Sequence, residues 1–384
     1  MMNYLNESEE VTCPVCGVKT KAIYVLPAAV IQTMAPGVRK AVVPDQKLLD
    51  YYKQFSLSFP EEAAFQLPLD EKTLSAEDFK EHIVKLDDGY YYYKTQTDIA
   101  PTRRVSSYAC SQCHSILPPV LFQRKGVKLH ITLLIGATEA GKTVTTVSLS
   151  RSRFNAAHHD SFEYGYYSKA YHELCNSGKV PDPTQIGLKQ GFINRQFNLY
   201  HYNPVTNTLH ILTDTPGEVF LAMINLSAIV PQELQLTALF LMDCNEQSEN
   251  FDETAEQILS YAERYKQTFT GGVILNFTKA DLLDKETLQA GMLKDIRGGC
   301  LQTQADLAVA RRQAMNDALM NNPYVKAKHP KISRLYREMK SMFAGVPFTA
   351  LFSAALGSPT AEGYLVGRYS PLYMDALLSE LIWR

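Results

Sequence analysis

Neither sign of charge dominates this chain. Its 38 lysines and arginines stand against 40 aspartates and glutamates over 384 residues, a formal net charge of −2. Composition therefore builds in no global pull toward nucleic acid or an anionic membrane. Also missing is any unbroken apolar run near the ~18 residues that mark a membrane-spanning helix. The opening stretch MMNYLNESEEVTCPVC is acidic and polar, without the basic n-region and apolar core of a secretory signal. These absences set the expectation of a soluble, cytoplasmic protein. Internal repeats and low-complexity tracts are lacking too. The length allows two or three domains and at least one large core.

Cysteine is sparse but arranged. Seven occur, at 13, 16, 110, 113, 175, 244 and 300, and four of them form the stretches CPVCG and CSQCH. Without an export signal, paired CxxC turns favour metal over disulfide. Each turn brings two thiolates to one ion, and two turns close a tetrahedral Zn2+ site, with Cys13, Cys16, Cys110 and Cys113 as ligands. The spacing departs from a compact zinc ribbon: 93 residues lie between Cys16 and Cys110, where about 15–20 is usual. A large α+β insertion over 17–109, between two knuckles, reconciles the two. Two unrelated thiol pairs, or one redox-active pair, are the alternatives. His114 reads as a bystander beside Cys113, and Cys175, Cys244 and Cys300 as isolated thiols.

Within the insertion, TLSAEDFKEHIVKL carries a capping pattern from Ser75 to Asp78 followed by helical spacing. GYYYYKTQT reads as a tyrosine-rich strand packed on two faces, with base stacking as its alternative. SILPPVLFQRKG reads as a linker. From Lys128 onward, strands alternate with helices, the pattern of an α/β sandwich round a mostly parallel sheet. Predicted strands are KLHITLLI, FINRQFNLYHY, TLHILTD, TALFLMD, GGVILNF and VPFTALFS. The second and third are joined by the hairpin-like NPVTN and so run antiparallel. Predicted helices begin at TVTTVSLSRSRF and include EVFLAMINLSAI, DETAEQILSYAERYKQTF and SPLYMDALLSELIWR. The domain expectation is a zinc-ribbon-like module over 1–120, split by its insertion, and a second domain over 121–384.

The first strand of that second domain runs into GATEAGKT, residues Gly136, Ala137, Thr138, Glu139, Ala140, Gly141, Lys142 and Thr143, with Val144 following. In G-x-x-x-x-G-K-[ST], successive backbone N–H groups wrap phosphates and a helix N-terminus adds its positive end. The glycines allow the turn and close approach. Lys142 supplies a point charge at the β- and γ-phosphates, and the Thr143 hydroxyl is a Mg2+ ligand.

Three later stretches fall at predicted strand ends, where an open α/β sheet binds ligands. In LHILTDTPGE, Asp214 is placed to hold Mg2+ through water, and Gly217 to offer its N–H to a γ-phosphate. In ILNFTKADLL, Thr278, Lys279 and Asp281 follow a strand. The Asp281 carboxylate suits the paired N–H donors of guanine, which adenine lacks. In LFSAALG, the backbone N–H groups of Ser353 and Ala354 are candidates for the guanine O6.

GATEAGKT, DTPG, TKAD and SAA, in this order, resemble the motifs of the translation-factor-related (TRAFAC) class of P-loop GTPases, which includes Ras-like proteins. The resemblance covers about residues 127–384. It implies a Ras-like fold, a six-stranded mostly parallel sheet with helices on both faces, a GTP/GDP ligand with Mg2+, and switch-type hydrolysis. T-K-x-D departs from the commoner N-K-x-D, and losing the amide side chain at Thr278 implies looser guanine preference. The zinc-knuckle front end further resembles bacterial double-GTPase-type proteins of conflict or signalling systems.

On this reading Lys142, Thr143, Gly217 and Thr184 carry the chemistry. Thr184, in VPDPTQIG, is the candidate for the Mg2+ threonine of the segment after the first helix. Glu218 follows D-T-P-G where many relatives place a water-orienting glutamine, and Thr138 and Glu139 replace small residues. Slow intrinsic hydrolysis, assisted by a protein partner, is the expectation. Residues 292–340 form a basic helical stretch with ten Lys and Arg against four Asp and Glu. That stretch suits an acidic partner, nucleic acid or a membrane surface, or is simply a solvated face. Alternatives to a GTP-hydrolysing switch with a zinc module for partner docking are a non-hydrolysing nucleotide-binding scaffold, an ATPase and a nucleic-acid-binding protein.

Overall fold

A computed structural model describes residues 10–31, 34, 44–53, 66–87, 90–94, 103–137, 140–150, 162–181, 197–214, 234–284, 286–287, 316, 321–357, 360–369 and 371–382. Its centre is a six-stranded sheet, whose strands are numbered here β1 (Lys128–Ile135), β2 (Phe197–Asn203), β3 (Thr208–Asp214), β4 (Gln235–Asp243), β5 (Gly272–Thr278) and β6 (Phe348–Phe352). The strand order is β2-β3-β1-β4-β5-β6. Four of the five pairings are parallel, and β2 alone runs antiparallel, to β3. This is the sheet the sequence predicts. β1 and β5 read as unbroken apolar runs because helices cover both faces, and all of β5 and all but the first residue of β1 are buried. At the β2–β3 turn, Asn203 Oδ1 accepts the N–H groups of Val205 and Thr206, and Asn207 takes a φ of 52°. Asparagine tolerates that left-handed conformation, which makes NPVTN a turn.

Register assigns the helices to faces. Thr237 of β4 pairs with Thr132 of β1, so Phe240 points to the opposite face from Thr132. Phe240 meets Tyr261 of α3 (Phe251–Tyr265), and α4 (Pro330–Met342) packs beside α3. On the Thr132 face lie Leu149 of α1 (Lys142–Leu149) and Leu378 and Leu381 of α5 (Met374–Ile382). A further helix, α2 (Phe162–Ser177), follows α1 in a segment that reads as polar and turn-rich. Its aromatic-rich FEYGYYSKAYHELCNS has no clean apolar stripe, which hides it from a periodicity reading.

The amino-terminal part folds round the two cysteine turns. Hairpin Val11–Thr12/Lys19–Thr20 carries the first, and strand Ser107–Cys110 leads into the second. Ala22–Pro27 pairs antiparallel with Ser107–Cys110, Ala22 opposite Cys110, and also with Gln66–Pro68. Lys19–Pro27, at the start of the stretch 17–109, thus runs from the first cysteine turn to the strand that leads into the second. Tyr91–Tyr93 is the predicted tyrosine strand, between Ile83–Lys85 and Arg103–Arg104. Its neighbour Tyr90 stacks edge-on with Tyr24 and Tyr108, so the tyrosine run builds a core.

Three sequence expectations change. Ser75 is not a cap: Asp70 caps helix Glu71–Ser75, its Oδ1 accepting from Thr73 N at 2.7 Å, while Ser75 Oγ donates to Lys72 O. The β-branched Ile83–Val84 that follows forms a strand instead of continuing a helix. SILPPVLFQRKG is not a linker, since Val120, Leu121 and Phe122 form a buried helical turn. Lastly, α4 takes up the carboxyl-terminal end of the predicted basic stretch 292–340 but, in the connection from β5 to β6, buries Ile332, Leu335, Tyr336 and Met339. It is the sheet's own crossover helix, and its charges occupy the opposite face.

A cleft of about 670 Å3 runs between Val11 and Thr12 on one side and Lys128, Thr208 and Gln235 on the other. Those last three start β1 and β3 and β4, so the first cysteine hairpin sits at the amino-terminal rim of the sheet. No described helix is long and apolar enough to cross a membrane.

Candidate functional site

The turn after β1 is shaped by close approach. A Cβ on Gly136 would stand 2.8 Å from the Leu241 carbonyl oxygen on β4 and 3.1 Å from Ala140 Cβ, so only glycine fits. Gly141 needs glycine for another reason, its φ of 83°. It precedes α1 without a side-chain cap, so the first N–H groups of α1 have no capping acceptor from it. Lys142 folds back over the turn, its Nζ donating to the carbonyls of Gly136 and Ala137, both at 2.8 Å. Lys142 and Thr143 are buried, Ala140 is buried, and Ala137 and Val144 are half-buried. This is a glycine turn with a buried ammonium at its mouth and a helix dipole behind it, chemistry suited to a polyanion.

The second predicted turn stands on the same rim. β4 separates β1 from β5, so the turns after these strands lie two strand spacings apart, about 10 Å. That is the scale separating purine from phosphates within one nucleotide. Thr278 is buried, its Oγ1 donating to Met242 O at 3.3 Å. Lys279 has a φ of 57°, and its Nζ meets Asp243 Oδ2 at 2.6 Å. Asp281 lies half-exposed in the 3-10 turn Ala280–Leu282. The amides of Ser353 and Ala354 are already engaged. Ser353 N–H donates to Phe277 O at 2.9 Å and Ala354 N–H to Leu372 O at 3.0 Å. As described, neither is free for a guanine oxygen, because strand pairing extends through Ser353 and Ala354 bridges to Leu372. On the other side of β1, the backbone of Asp214 ends β3 beside Leu134. Thr138, Glu139, Thr184, Gly217 and Glu218, the helix EVFLAMINLSAI and Cys300 lie outside the described residues.

Across 93 intervening residues the fold brings the four paired cysteines together. Cys13 Sγ lies 3.9 Å from Cys113 Sγ and Cys16 Sγ 3.8 Å from Cys110 Sγ, and all four sulfurs fall within 4.8 Å of one another. Tetrahedral Zn–S bonds of about 2.3 Å require S···S edges of about 3.8 Å. The two turns are near copies. Val15 and Cys16 direct their N–H groups at Cys13 Sγ, and Gln112 and Cys113 theirs at Cys110 Sγ, all between 3.3 and 3.5 Å. Each turn closes through a left-handed residue, Gly17 donating to Cys13 O and His114 to Cys110 O, both at 2.9 Å. Crowding separates the thiols' proton affinities. The hydrogen bonds from Cys113 and then Cys13 hold Cys110 well below the ordinary thiol range, while Cys110 pushes Cys13 above it. Four sulfurs so arranged could hold one metal ion.

His114 is no bystander, though it is no ligand either. Its Nδ1 binds Asp45 Oδ2 at 2.8 Å, and Gln66 Nε2 donates to both Asp45 Oδ2 and the His114 carbonyl. Burial pushes the Asp45 carboxyl up, but the hydrogen bonds of His114 and then Gln66 outweigh it and hold it below the usual range. This network bolts the second cysteine turn to helix Gln46–Lys53. Asp45 and Gln66 carry no sequence signal, since their partners are 69 and 48 residues from them. Among the isolated thiols, Cys175 is exposed and Cys244 is buried beside Lys279.

No protein-family model matches the sequence, and no curated protein matches it. Solved structures do show likeness. Nucleolar GTP-binding protein 1 of Plasmodium falciparum is 13% identical, over 67% of this chain and 88% of its own, with a TM-score of 0.28. The Ski7 GTPase-like domain of S. cerevisiae, bound to GDP and inorganic phosphate, is 16% identical over 67% of this chain and 50% of its own, TM-score 0.31. The SRb-GTP/SRX complex from Chaetomium thermophilum gives 15% identity over 60% and 95%, TM-score 0.26. Each is a distant likeness, and the functional reading rests on the chain's own geometry.

Proposed function

We propose that the chain binds GTP and GDP on the carboxyl-terminal rim of its sheet and hydrolyses GTP slowly, as a P-loop GTPase of the translation-factor-related class. The observation that carries this reading is the placement of the Gly136–Thr143 turn and the Thr278–Asp281 turn on one rim, two strands apart. Lys142, turned over the loop by the Gly136 and Ala137 carbonyls, would meet the β- and γ-phosphates, and the amino-terminal end of α1 would add its positive dipole to the cradle. Asp281 would accept the guanine N–H pair, and an adenine there would leave its charge without a partner. Thr143 and Asp214 would hold Mg2+, with Thr184 from the following segment; a bound Mg2+ there would supply positive charge to offset that of the phosphates. Gly217 would register the γ-phosphate. Glu218, in place of a glutamine, favours slow turnover and assistance from a protein partner.

The four cysteines would hold Zn2+, whose chemistry there is structural: it supplies the charge that lets four thiolates share one site. The amino-terminal module would then be a docking platform of the zinc-ribbon kind, and residues 121–384 the GTPase domain, in a cytoplasmic protein.

Mass spectrometry of the natively purified protein should find one guanine nucleotide and one zinc per chain. Single-turnover GTP hydrolysis should be measurable and abolished in Lys142→Ala. Equal binding of GDP and ADP by the wild type, or equal turnover in Lys142→Ala, refutes the reading.

A further inference from the structure

The turn that carries Asp281 is held by the end of β4, through contacts that none of the motif residues announces. Cys244 N–H donates to the Thr278 carbonyl at 3.1 Å, and Cys244 Sγ to the Lys279 carbonyl at 3.0 Å. Asp243 Oδ2 takes the Lys279 ammonium at 2.6 Å. The Lys279 carbonyl is the pivot, for it also accepts Leu282 N–H, the hydrogen bond that closes the 3-10 turn round Asp281. Lys279 reaches this geometry with a left-handed φ of 57°, disfavoured for any residue with a Cβ, so the carbonyl keeps its direction only while something holds it.

From these contacts we propose that Asp243 and Cys244 are positioning residues for purine selection, supplying the anchorage that an asparagine at Thr278 would otherwise give. The proposal rests on the guanine reading above and reverses one of its expectations: selectivity is retained despite the threonine. The Thr278 hydroxyl is spent on Met242 O and leaves the turn unsupported from its own side chain. Cys244 is suited to the work. It is almost fully buried, and burial, then the nearby Asp243, pushes its thiol up, so that it stays protonated and keeps its donor. Asp243 is held in turn, its Oδ1 accepting Asn245 N–H at 2.9 Å. On the far side, Ala280 N–H donates to Ser353 O and Asn276 Nδ2 to Ser353 Oγ, so the turn is fixed from β4 and β6 together.

The test is the ratio of ADP to GDP dissociation constants, measured by competition on full-length protein for wild type, Cys244→Ala, Cys244→Ser and Asp243→Asn. Losing one buried hydrogen bond to the pivot should lower the ratio about tenfold in Cys244→Ala. Cys244→Ser restores a donor and should bring the ratio back to within about twofold of wild type. Asp243→Asn, at a half-exposed pair, should lower it about threefold. A ratio unchanged in all variants overturns the proposal. So does an equal weakening of both nucleotides, the mark of a merely structural role. A wild-type ratio near one is a separate failure: it removes the guanine reading itself. Should Cys244→Ala not fold, the Asp243→Asn ratio still decides.

Discussion

Three histidines lie in one row across the sheet, and two of them, on β2 and β3, should make that edge sensitive to acid. His201 of β2 pairs with His210 of β3, and His210 with His130 of β1. His130 Nε2 bonds Thr237 Oγ1 at 2.7 Å, but His201 Nε2 is buried without a partner, and the ring nitrogens of His210 find at most a poor contact with the Leu381 backbone, too weak to offset burial. The void beside them, under α1 and α5, is about 10 Å3, room for one water molecule at most. Burial lowers His201 to about 4; burial, then His130 and His201, lower His210 to about 3. Both rings are thus neutral when folded, while an unfolded histidine titrates near pH 6.5. The unfolded chain binds more protons below that pH, so stability is complete above about 6.5 and falls with pH until the folded values are reached. Between pH 7 and pH 5 each ring removes about 2 kcal/mol, about 4 kcal/mol for the two. The carboxylates with lowered values titrate below this window. Hydrogen exchange of the β2 and β3 amides at pH 7 and pH 5, corrected for intrinsic rates, reads the change as an opening free energy. In His201→Leu/His210→Leu the pH dependence should vanish while stability at pH 7 holds or rises, since the removed groups were unsatisfied. An equal drop in wild type and double variant would refute the reasoning.

Gly136→Ala drives a Cβ to 2.8 Å from the Leu241 carbonyl; it should cost about 1–3 kcal/mol of stability and weaken GDP binding beyond tenfold, checked by melting and calorimetry. Stripping zinc with a strong chelator should free four reactive thiols per chain, counted by a thiol reagent, and remove exchange protection from 11–27 and 103–117 while sparing β4 and β5. Asp45→Ala leaves His114 and Gln66 without their shared acceptor, about 1–3 kcal/mol for each donor; faster zinc loss to a chelator, with unchanged GDP affinity, is the expected readout.

The sheet was legible because its signals are local and strong. β1 and β3 begin and end where KLHITLLI and TLHILTD do, since a strand buried on both faces writes itself as a continuous apolar run. Asn203 and Asn207 likewise mark their own turn. The glycine turn after β1 was legible for the same reason: Gly136 and Gly141 are demanded by a close contact and a positive φ. What stayed hidden is what depends on partners far away in the chain. Ser75 looks like a cap, but it ends the helix that Asp70 caps, and the next helix, Glu77–Lys80, starts after Ala76 with no side-chain cap. His114 looks idle until Asp45 arrives from 69 residues upstream. Asp243 and Cys244 close an ordinary strand in sequence, and only the register with Thr278 brings them to the turn after β5.

The same register governs how the two ends of the molecule can communicate. The cysteine hairpin borders the cleft at the start of β1, and the glycine turn follows its end. Eight residues at about 3.3 Å each set those rims about 26 Å apart, well beyond the reach of any side chain. The described side chains of the cysteine hairpin therefore do not reach the carboxyl-terminal rim of the sheet. Influence between them has to pass through packed strands. β1 is the direct route, since its buried residues belong to the same continuous core as Cys13 and Cys110 at one end and Ala140 at the other. A close-packed core transmits displacement rather than absorbing it. Coupling along β1 would appear as a change in GDP affinity when zinc is removed, and rigid independence of the two ends as no change at all.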